Sequence, residues 1–217
     1  MRIHLLLFFI LFSLTSQSQT IQTIDSLNNE ICQSLAENKI LNDEIRLHSI
    51  NKSHVMPFLA KFKDTIAQRK AFEKMIYRLQ KNCNEFNALF PKDSIRNDWG
   101  MQNEKPIGHV SKEQCNTFDE SKKFHYWEER GKKVEVTING NLWIEKFGDN
   151  TFSKLLYRKR SNCEFELEFI ESNNLSRKNL SVKGDKYRYK IYDEEENIYS
   201  VYSKNKETYY TFKLIKE

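Results

Sequence analysis

The residues of this chain that could do chemistry are few, and their spacing argues against most catalytic sites. Five histidines, His4, His48, His54, His109 and His125, include no HExxH pair, and the cysteines Cys32, Cys83, Cys115 and Cys163 include no CxxC. The spacings that set zinc ligands or a redox dithiol side by side are therefore missing. His48 and His54, six residues apart, do not share one face of a helix and read as surface histidines. There is no Gly-x-Ser-x-Gly elbow, no P-loop and no dinucleotide fingerprint. Asp93 and Asp98 both lie just ahead of Trp99, but a carboxylate pair hydrolyses a glycoside only in a preformed cleft that drives its two pKa values apart, which closeness along the chain does not supply. No catalytic, metal-binding or cofactor-binding residue is assigned from these patterns.

The opening residues say where the chain works. MRIHLLLFFILFSLTSQS carries one basic residue, an apolar run from Ile3 to Leu14 and small polar residues after it, the pattern of a secretory signal. Ser16 and Ser18 meet the small-residue demand ahead of cleavage before Gln19. The apolar run is short of the roughly 20 residues a membrane span needs, so no stable membrane anchor is expected and the protein is periplasmic or secreted. An exported chain meets no chromosomal DNA, and nucleic acid is not expected as a partner.

Export changes the meaning of the cysteines. In an oxidising compartment an even count implies bridges, here two out of three connectivities. Each half of the chain holds two cysteines, which favours Cys32 with Cys83 and Cys115 with Cys163. The alternative is four buried free thiols, since Cys83 lies in an apolar stripe where a thiol packs well.

Two kinds of periodicity must position these groups. From Ile21 to about Phe90 apolar residues recur at three and four: Ile21, Ile24, Leu27, Ile31 and Leu35 form one stripe, Ala71, Phe72, Met75, Ile76, Leu79, Cys83 and Phe86 another. Pro57 suits the first turn of a middle helix, where a missing N–H costs nothing. Between Pro91 and Gln114 the pattern fails and Gly and Pro punctuate the chain, which reads as a linker with a boundary near residue 105 and Trp99 as an anchor within it.

Beyond Phe118 the period is two. Val134 to Phe147 reads as a hairpin turning around Asn139 and Gly140 in a type I′ turn. Further strands are predicted from Phe124 to Trp127, Phe152 to Tyr157, Cys163 to Ile170, Tyr187 to Tyr192, Ile198 to Tyr202 and Thr208 to Leu214, with nothing helical between them. In the stretch CEFELEFI, Phe165, Leu167 and Phe169 must share one face, and Glu164, Glu166 and Glu168 the other. That row of carboxylates reads as a solvated face opposite lysines of neighbouring strands. The tyrosines of the last three strands cap a core, or, for Tyr187, Tyr189, Tyr199 and Tyr202, line a barrel mouth that takes an apolar or sugar ligand. The formal net charge of +5 is a weak signal; Arg158, Lys159 and Arg160, with the pairs Lys122/Lys123 and Lys132/Lys133, read as protection of sheet edges, the alternative being one patch for an acidic polymer or lipid headgroups.

Cys115 followed by Phe118, Phe124 and Tyr126, then Leu142, Trp143, Ile144 and Glu145, then Asn162, Cys163, Glu164 and Phe165, then Val182, Lys183, Gly184 and Asp185 ahead of Tyr187, resembles a family of small secreted β proteins from Bacteroidetes. That family pairs a cysteine and aromatic opening with a second cysteine that starts a central strand. The helical half is similar to the short helical segments that precede such domains. Asp25-Ser26-Leu27, Asp64-Thr65-Ile66 and Asp93-Ser94-Ile95 resemble the O-glycosylation sequon of exported proteins in that phylum, which implies Ser26, Thr65 and Ser94 as acceptors. Helix N-caps explain the first two equally well.

The sequence therefore implies an α+β protein: a signal peptide over 1–18, a small helical bundle with linker over 19–105, and over 106–217 an antiparallel β-meander curled into a half-open or closed lipocalin-like barrel. The function it implies is a binding or interaction module without a cofactor, either a carrier of a small ligand or an inhibitor of a secreted protein. Its partners would be an apolar small ligand, a glycan or another secreted protein. A secreted hydrolase acting on an envelope or extracellular polymer is the second class. N-terminal sequencing of the exported protein is expected to begin at Gln19; an intact Met1 on a cytoplasmic product would overturn the export reading.

Overall fold

The computed structural model describes residues 21–89, 98–128, 131–161 and 163–217. The signal peptide, Asp93 and Ser94 lie outside the described residues. The chain divides into two compact units that part between Pro91 and Lys92, each with a core of its own.

The first unit is helical. Its elements are α1 over residues 21–37, α2 (Asp43–Ile50), α3 (Met56–Leu59), α4 (Thr65–Asn82) and α5 (Asn84–Asn87). The stripes expected from the periodicity supply the core: Ile24, Ile31 and Leu35 of α1 pack with Ala71, Met75 and Leu79 of α4, Cys83 and Phe86. Phe72, expected in the same stripe, is largely exposed, because the buried ridge of α4 runs through Ala71, Met75 and Leu79 at four-residue steps. Polar groups pin the two long helices together. The Asn28 amide donates to the Met75 carbonyl at 3.1 Å, and the Arg78 guanidinium grips the Asp25 carboxylate with two hydrogen bonds. Asp25 is thus an ion-pair partner within a helix; Asp64 is the N-cap, accepting from the Ala67 N–H at 2.7 Å. Ser26 and Thr65 are exposed.

Pro57 sits in the first turn of α3, as expected, but that helix does not begin afresh. Residues Asn51–Val55 form one widened turn that joins α2 to α3, with the Met56 N–H donating back to the Asn51 carbonyl. A wide turn directly before the proline accommodates its missing donor without ending the helix.

The second unit is a closed eight-stranded antiparallel barrel with one additional strand. Its strands are β1 (Trp99–Gln102), β2 (Lys123–Glu128), β3 (Lys132–Asn139), β4 (Leu142–Phe147), β5 (Phe152–Lys159), β6 (Glu164–Ser172), β7 (Lys186–Glu195), β8 (Ile198–Asn205) and β9 (Thr208–Lys216). Strands β2 to β9 follow one another as a meander, and β9 closes the ring against β2. The closure is brief: β9 pairs with β2 only at Phe124↔Lys216 and His125↔Ile215. The rest of that edge is taken by β1, from Trp99↔Phe212 to Gln102↔Tyr209. The segment read as a linker therefore holds a strand of the barrel unit, and the unit begins ahead of residue 105. Four residues alternating too briefly to show a period, with two glycine and methionine positions among them, gave no strand signal.

Two short helices were also not expected. The first, α6 (Lys112–Glu120), opens with a reciprocal cap between Ser111 and Gln114. It drives Phe118 into one end of the barrel, with ring centroids 4.8 Å from Phe124, 5.5 Å from Phe165 and 5.1 Å from Tyr199. The second, α7 (Leu175–Leu180), is capped by the Asn174 side chain and lies between β6 and β7 at the opposite end. The β3–β4 loop has positive φ at Gly140 (59°) and not at Asn141, which is the two-residue turn with glycine first, type II′ and not the expected I′.

The paired cysteines are those expected. Cys32 bridges Cys83 with Cα atoms 5.6 Å apart, and Cys115 bridges Cys163 with Cα atoms 5.4 Å apart. Each closes a loop of about 50 residues, worth on the order of 4 kcal/mol in the chain-entropy account. The second bridge clamps α6 to the start of β6. Because β1 completes the open edge of β9, a fragment spanning 92–217 is expected to melt about 5–10 °C above one spanning 110–217. Equal melting temperatures by circular dichroism would show that β1 adds nothing to the barrel.

Candidate functional site

Inward positions of a closed barrel fall at every second residue of each strand. At the α6 end they are apolar and fill the interior: Phe124, Val136, Ile138, Ile191, Tyr199, Val201 and Leu214 are all nearly or fully buried, with Trp143 and Phe165 forming the floor between this end and the other. Toward α7 the inward positions change character. They include Tyr126 and Glu128 of β2, Glu145 of β4, Ser153 of β5, Tyr187 and Tyr189 of β7, Ser203 of β8 and Tyr210 of β9. Here the barrel holds a cavity of about 220 Å³.

One guanidinium organises the polar side of that cavity. Arg177 projects from α7 with its Nη2 donating to the Tyr126 hydroxyl at 2.8 Å and to the Glu128 carboxylate, and its Nε to Glu145 Oε2 at 3.4 Å. The Tyr126 hydroxyl in turn donates to Glu145 Oε1 at 3.1 Å, and the Trp143 indole N–H approaches the same oxygen at 3.4 Å. The Arg177 guanidinium also sits 5.4 Å from the Phe147 ring centroid. Burial works against the Arg177 charge, but Tyr126, Glu145 and Glu128 more than offset it and push its pKa well up. Tyr126 is likewise pushed well above the usual phenol range, first by burial, then by Glu145 and Glu128 against the opposing pull of Arg177. A phenol whose folded pKa lies above its unfolded value of about 10 adds stability that is complete below pH 10 and is lost as the pH rises further.

Aromatic rings form the other walls. Trp99 of β1 stacks on Phe212 at a centroid distance of 5.0 Å, and Tyr126 stands nearly perpendicular to Trp99 at 6.1 Å. Tyr189 stacks on Phe165 at 5.2 Å and meets Phe212 edge-on at 5.6 Å. Burial pushes the Tyr189 phenol up, with Glu145 and Tyr187 adding to it. Ser153, 1% exposed, has a hydroxyl with no hydrogen-bond partner.

The four tyrosines proposed as ligand-lining separate. Tyr187 and Tyr189 line the interior cavity, with the Tyr187 hydroxyl sharing a hydrogen bond with Ser181. Tyr199 does not: it points inward but at the plugged end, fully buried against Phe118 and Phe124. Tyr202 lies beyond the bulge-shifted partner strand on the outer face, against Tyr192 and Tyr209. Trp99 is more than an anchor, since it walls the cavity. Glu145 was legible: the alternation that buries Trp143 and Phe147 puts the glutamate between them on the same inner face. Arg177 left no signal, because its helix was not expected.

Tyr202 instead lines a second concavity, a cleft of about 930 Å³ between segment 105–110, α6 and the ends of β5 to β7. Here the chain passes so close to β7 that a Cβ on Gly108 would lie 1.6 Å from the Tyr192 carbonyl oxygen. The cleft's lining carries more cations than carboxylates: Lys105, Lys112, Lys159, Arg160 and Lys190 against Asp119 and Glu164. Lys159 pairs with Asp119, which also accepts from the Tyr157 hydroxyl at 3.1 Å, and Lys190 lies 3.6 Å from Glu164. The ties of Lys159 and Tyr157 to Asp119 hold α6 in place.

The glutamate row of β6 also needs a correction. Glu164 is exposed as expected, but Glu166 is 1% exposed, covered by Arg158 and Arg160 of the β5 side and Arg188 of β7 at 3.3, 3.0 and 3.3 Å. Arg158 and Arg160 are thus not free edge guards. Burial pushes the Glu166 carboxyl up, yet the hydrogen bond and charge of Arg160, with Arg188 and Lys186, hold it below its ordinary value.

Among the described residues no group of three or more His, Cys, Asp or Glu gathers to hold a metal ion, and no helix is long and apolar enough to cross a membrane. No family model, no curated protein and no solved structure matches the chain. Replacing Arg177 by Met keeps the volume but leaves Glu128 and Glu145 facing each other uncompensated. Chemical denaturation is expected to show a loss of about 3 kcal/mol, and an unchanged midpoint would mean that the cluster does not organise this end of the barrel.

Proposed function

We propose that this is an exported small-ligand-binding protein whose ligand occupies the interior of the barrel. The observation that carries the reading is the cavity itself: a closed barrel that is tightly filled at one end keeps, at the other, a space walled by aromatic rings and edged by a few polar groups. That combination of apolar enclosure and sparse, placed polar groups is how small-molecule sites are built. The volume sets the scale, since roughly 150 Å³ is enough to hold one benzene ring, so the ligand is a single ring with a short polar arm or an aliphatic of similar bulk. Two disulfides fit an oxidising compartment, which together with the signal peptide expected over residues 1–18 favours a periplasmic or secreted carrier.

The experiment uses the tryptophans. Trp99 and Trp143 line the cavity, whereas the Trp127 ring alternates to the outer face, edge-on to His125; because the Trp99 indole N–H donates to the Trp127 carbonyl, Trp143 is the primary reporter. Titrating the mature protein with benzyl alcohol and indole is expected to shift the indole N–H resonances of Trp99 and Trp143 and leave that of Trp127 in place. Ser203→Phe, which fills the cavity, should abolish the shifts. Uniform or absent shifts with both probes would overturn interior binding.

A further inference from the structure

At the polar edge of the interior cavity two carboxylates share one guanidinium. Within hydrogen-bonding reach of one another lie one guanidinium, Arg177, and two carboxylates, Glu128 and Glu145. Glu145 and Arg177 line the cavity, whereas Glu128, 27% exposed, stands outside its lining; the cluster as a whole carries an excess of one negative charge.

Glu145 also has acceptor capacity to spare. A carboxylate offers about four lone-pair sites, and Glu145 receives the Tyr126 hydroxyl at 3.1 Å and two longer approaches at 3.4 Å. Directly across the β4–β5 ladder its registered partner is Ser153. Both side chains point inward, and such cross-strand pairs hold their Cβ atoms about 5 Å apart. The Ser153 hydroxyl, buried and without a hydrogen-bond partner, lines the same cavity. A carboxylate with an open site and an idle hydroxyl, side by side, are acceptors for one multivalent donor. The neighbouring rings stand at steep angles, with Tyr126 turned 67° to Phe212 and Tyr189 turned 83° to it. Walls set in this way present more than one π face to a cation.

We propose that the cavity binds the ammonium group of a small primary amine between Glu145 and Ser153, with the amine's apolar body on the aromatic walls. This rests on the reading that the barrel binds its ligand inside. An ammonium supplies three donors and the missing positive charge. A neutral ligand leaves the excess charge uncompensated. An anion meets two carboxylates and a guanidinium that Tyr126, Glu128 and Glu145 already engage.

Three probes of one shape separate these cases: 2-phenylethylamine, 2-phenylethanol and phenylacetate, titrated into the mature protein at pH 7 and read on the Trp99 and Trp143 indole resonances. The amine is expected to bind at least about tenfold more tightly than the alcohol, as a hydrogen bond to a charged group implies, with phenylacetate weakest. Glu145→Gln should erase the preference for the amine. Ser153→Ala, which removes a group with no partner to lose, should weaken the amine by about threefold to tenfold without unfolding the barrel. If the alcohol or phenylacetate binds as tightly as the amine, the amine proposal falls while interior binding stands. If none of the three moves the two indoles, both fall together.

Discussion

The second edge of β9 is the constraint on which this structure depends. Eight strands in a meander leave two edges, and a barrel exists only if the last strand finds the first. Here β2 meets β9 at two residue pairs, too few to satisfy the backbone groups of a nine-residue strand. The remaining donors and acceptors are taken by β1, supplied from the segment ahead of α6. Closure therefore recruits residues that would otherwise be connection, and brings Trp99 with them. The same hydrogen bonds that remove the sheet's free edge place an indole against Phe212 and beside Tyr126. The wall of the cavity follows from how the ring is shut.

Closure also forces a choice at each end. The interior of an eight-stranded barrel is just wide enough for side chains to fill it, and at the α6 end they do, with Phe118 as the plug and the Cys115–Cys163 bridge tying the plug to β6. Filling both ends with comparable side chains would give a more apolar and better packed core. The chain instead sets a glutamate at an inward position of β4, then sends an arginine from α7 to meet it. Replacing such a buried ionic group by apolar residues of similar volume often leaves stability unchanged or improved. Its presence at the end that is left hollow is what distinguishes this cluster from ordinary packing.

Much of this was legible in the sequence, and the reason is period. Eight strands of the barrel alternate over enough residues for a two-residue repeat to stand out, and the two long helices carry enough turns for a stripe. The disulfide partners followed from two cysteines in each half. What the sequence hid lacks a period or acts across it. Strand β1 has four residues, and α7 has six; neither is long enough to declare itself, and the first owes its conformation to β9. The role of Tyr199 was misjudged because alternation says which residues point inward and not how far along the barrel axis they lie. Glu166 was misjudged for a related reason: an outward position is solvated only if its neighbours are short, and three arginines on adjacent strands are long enough to fold over it.

Glu166 and Glu145 show how the same side chain comes to opposite ends. On the outer face one carboxylate faces three guanidiniums, from Arg158, Arg160 and Arg188. Donors exceed what it needs, and the group is a structural tie between β5, β6 and β7. At the hollow end, buried Glu145 and the partly exposed Glu128 share one guanidinium, and the balance runs the other way. A buried acceptor set that outnumbers its donors remains costly unless something donates. Ser153 sharpens the point, because its hydroxyl could donate to the carboxylate opposite and makes no such bond. A cross-strand pair with both partners buried, one charged and one idle, is poor packing and a good pair of acceptors.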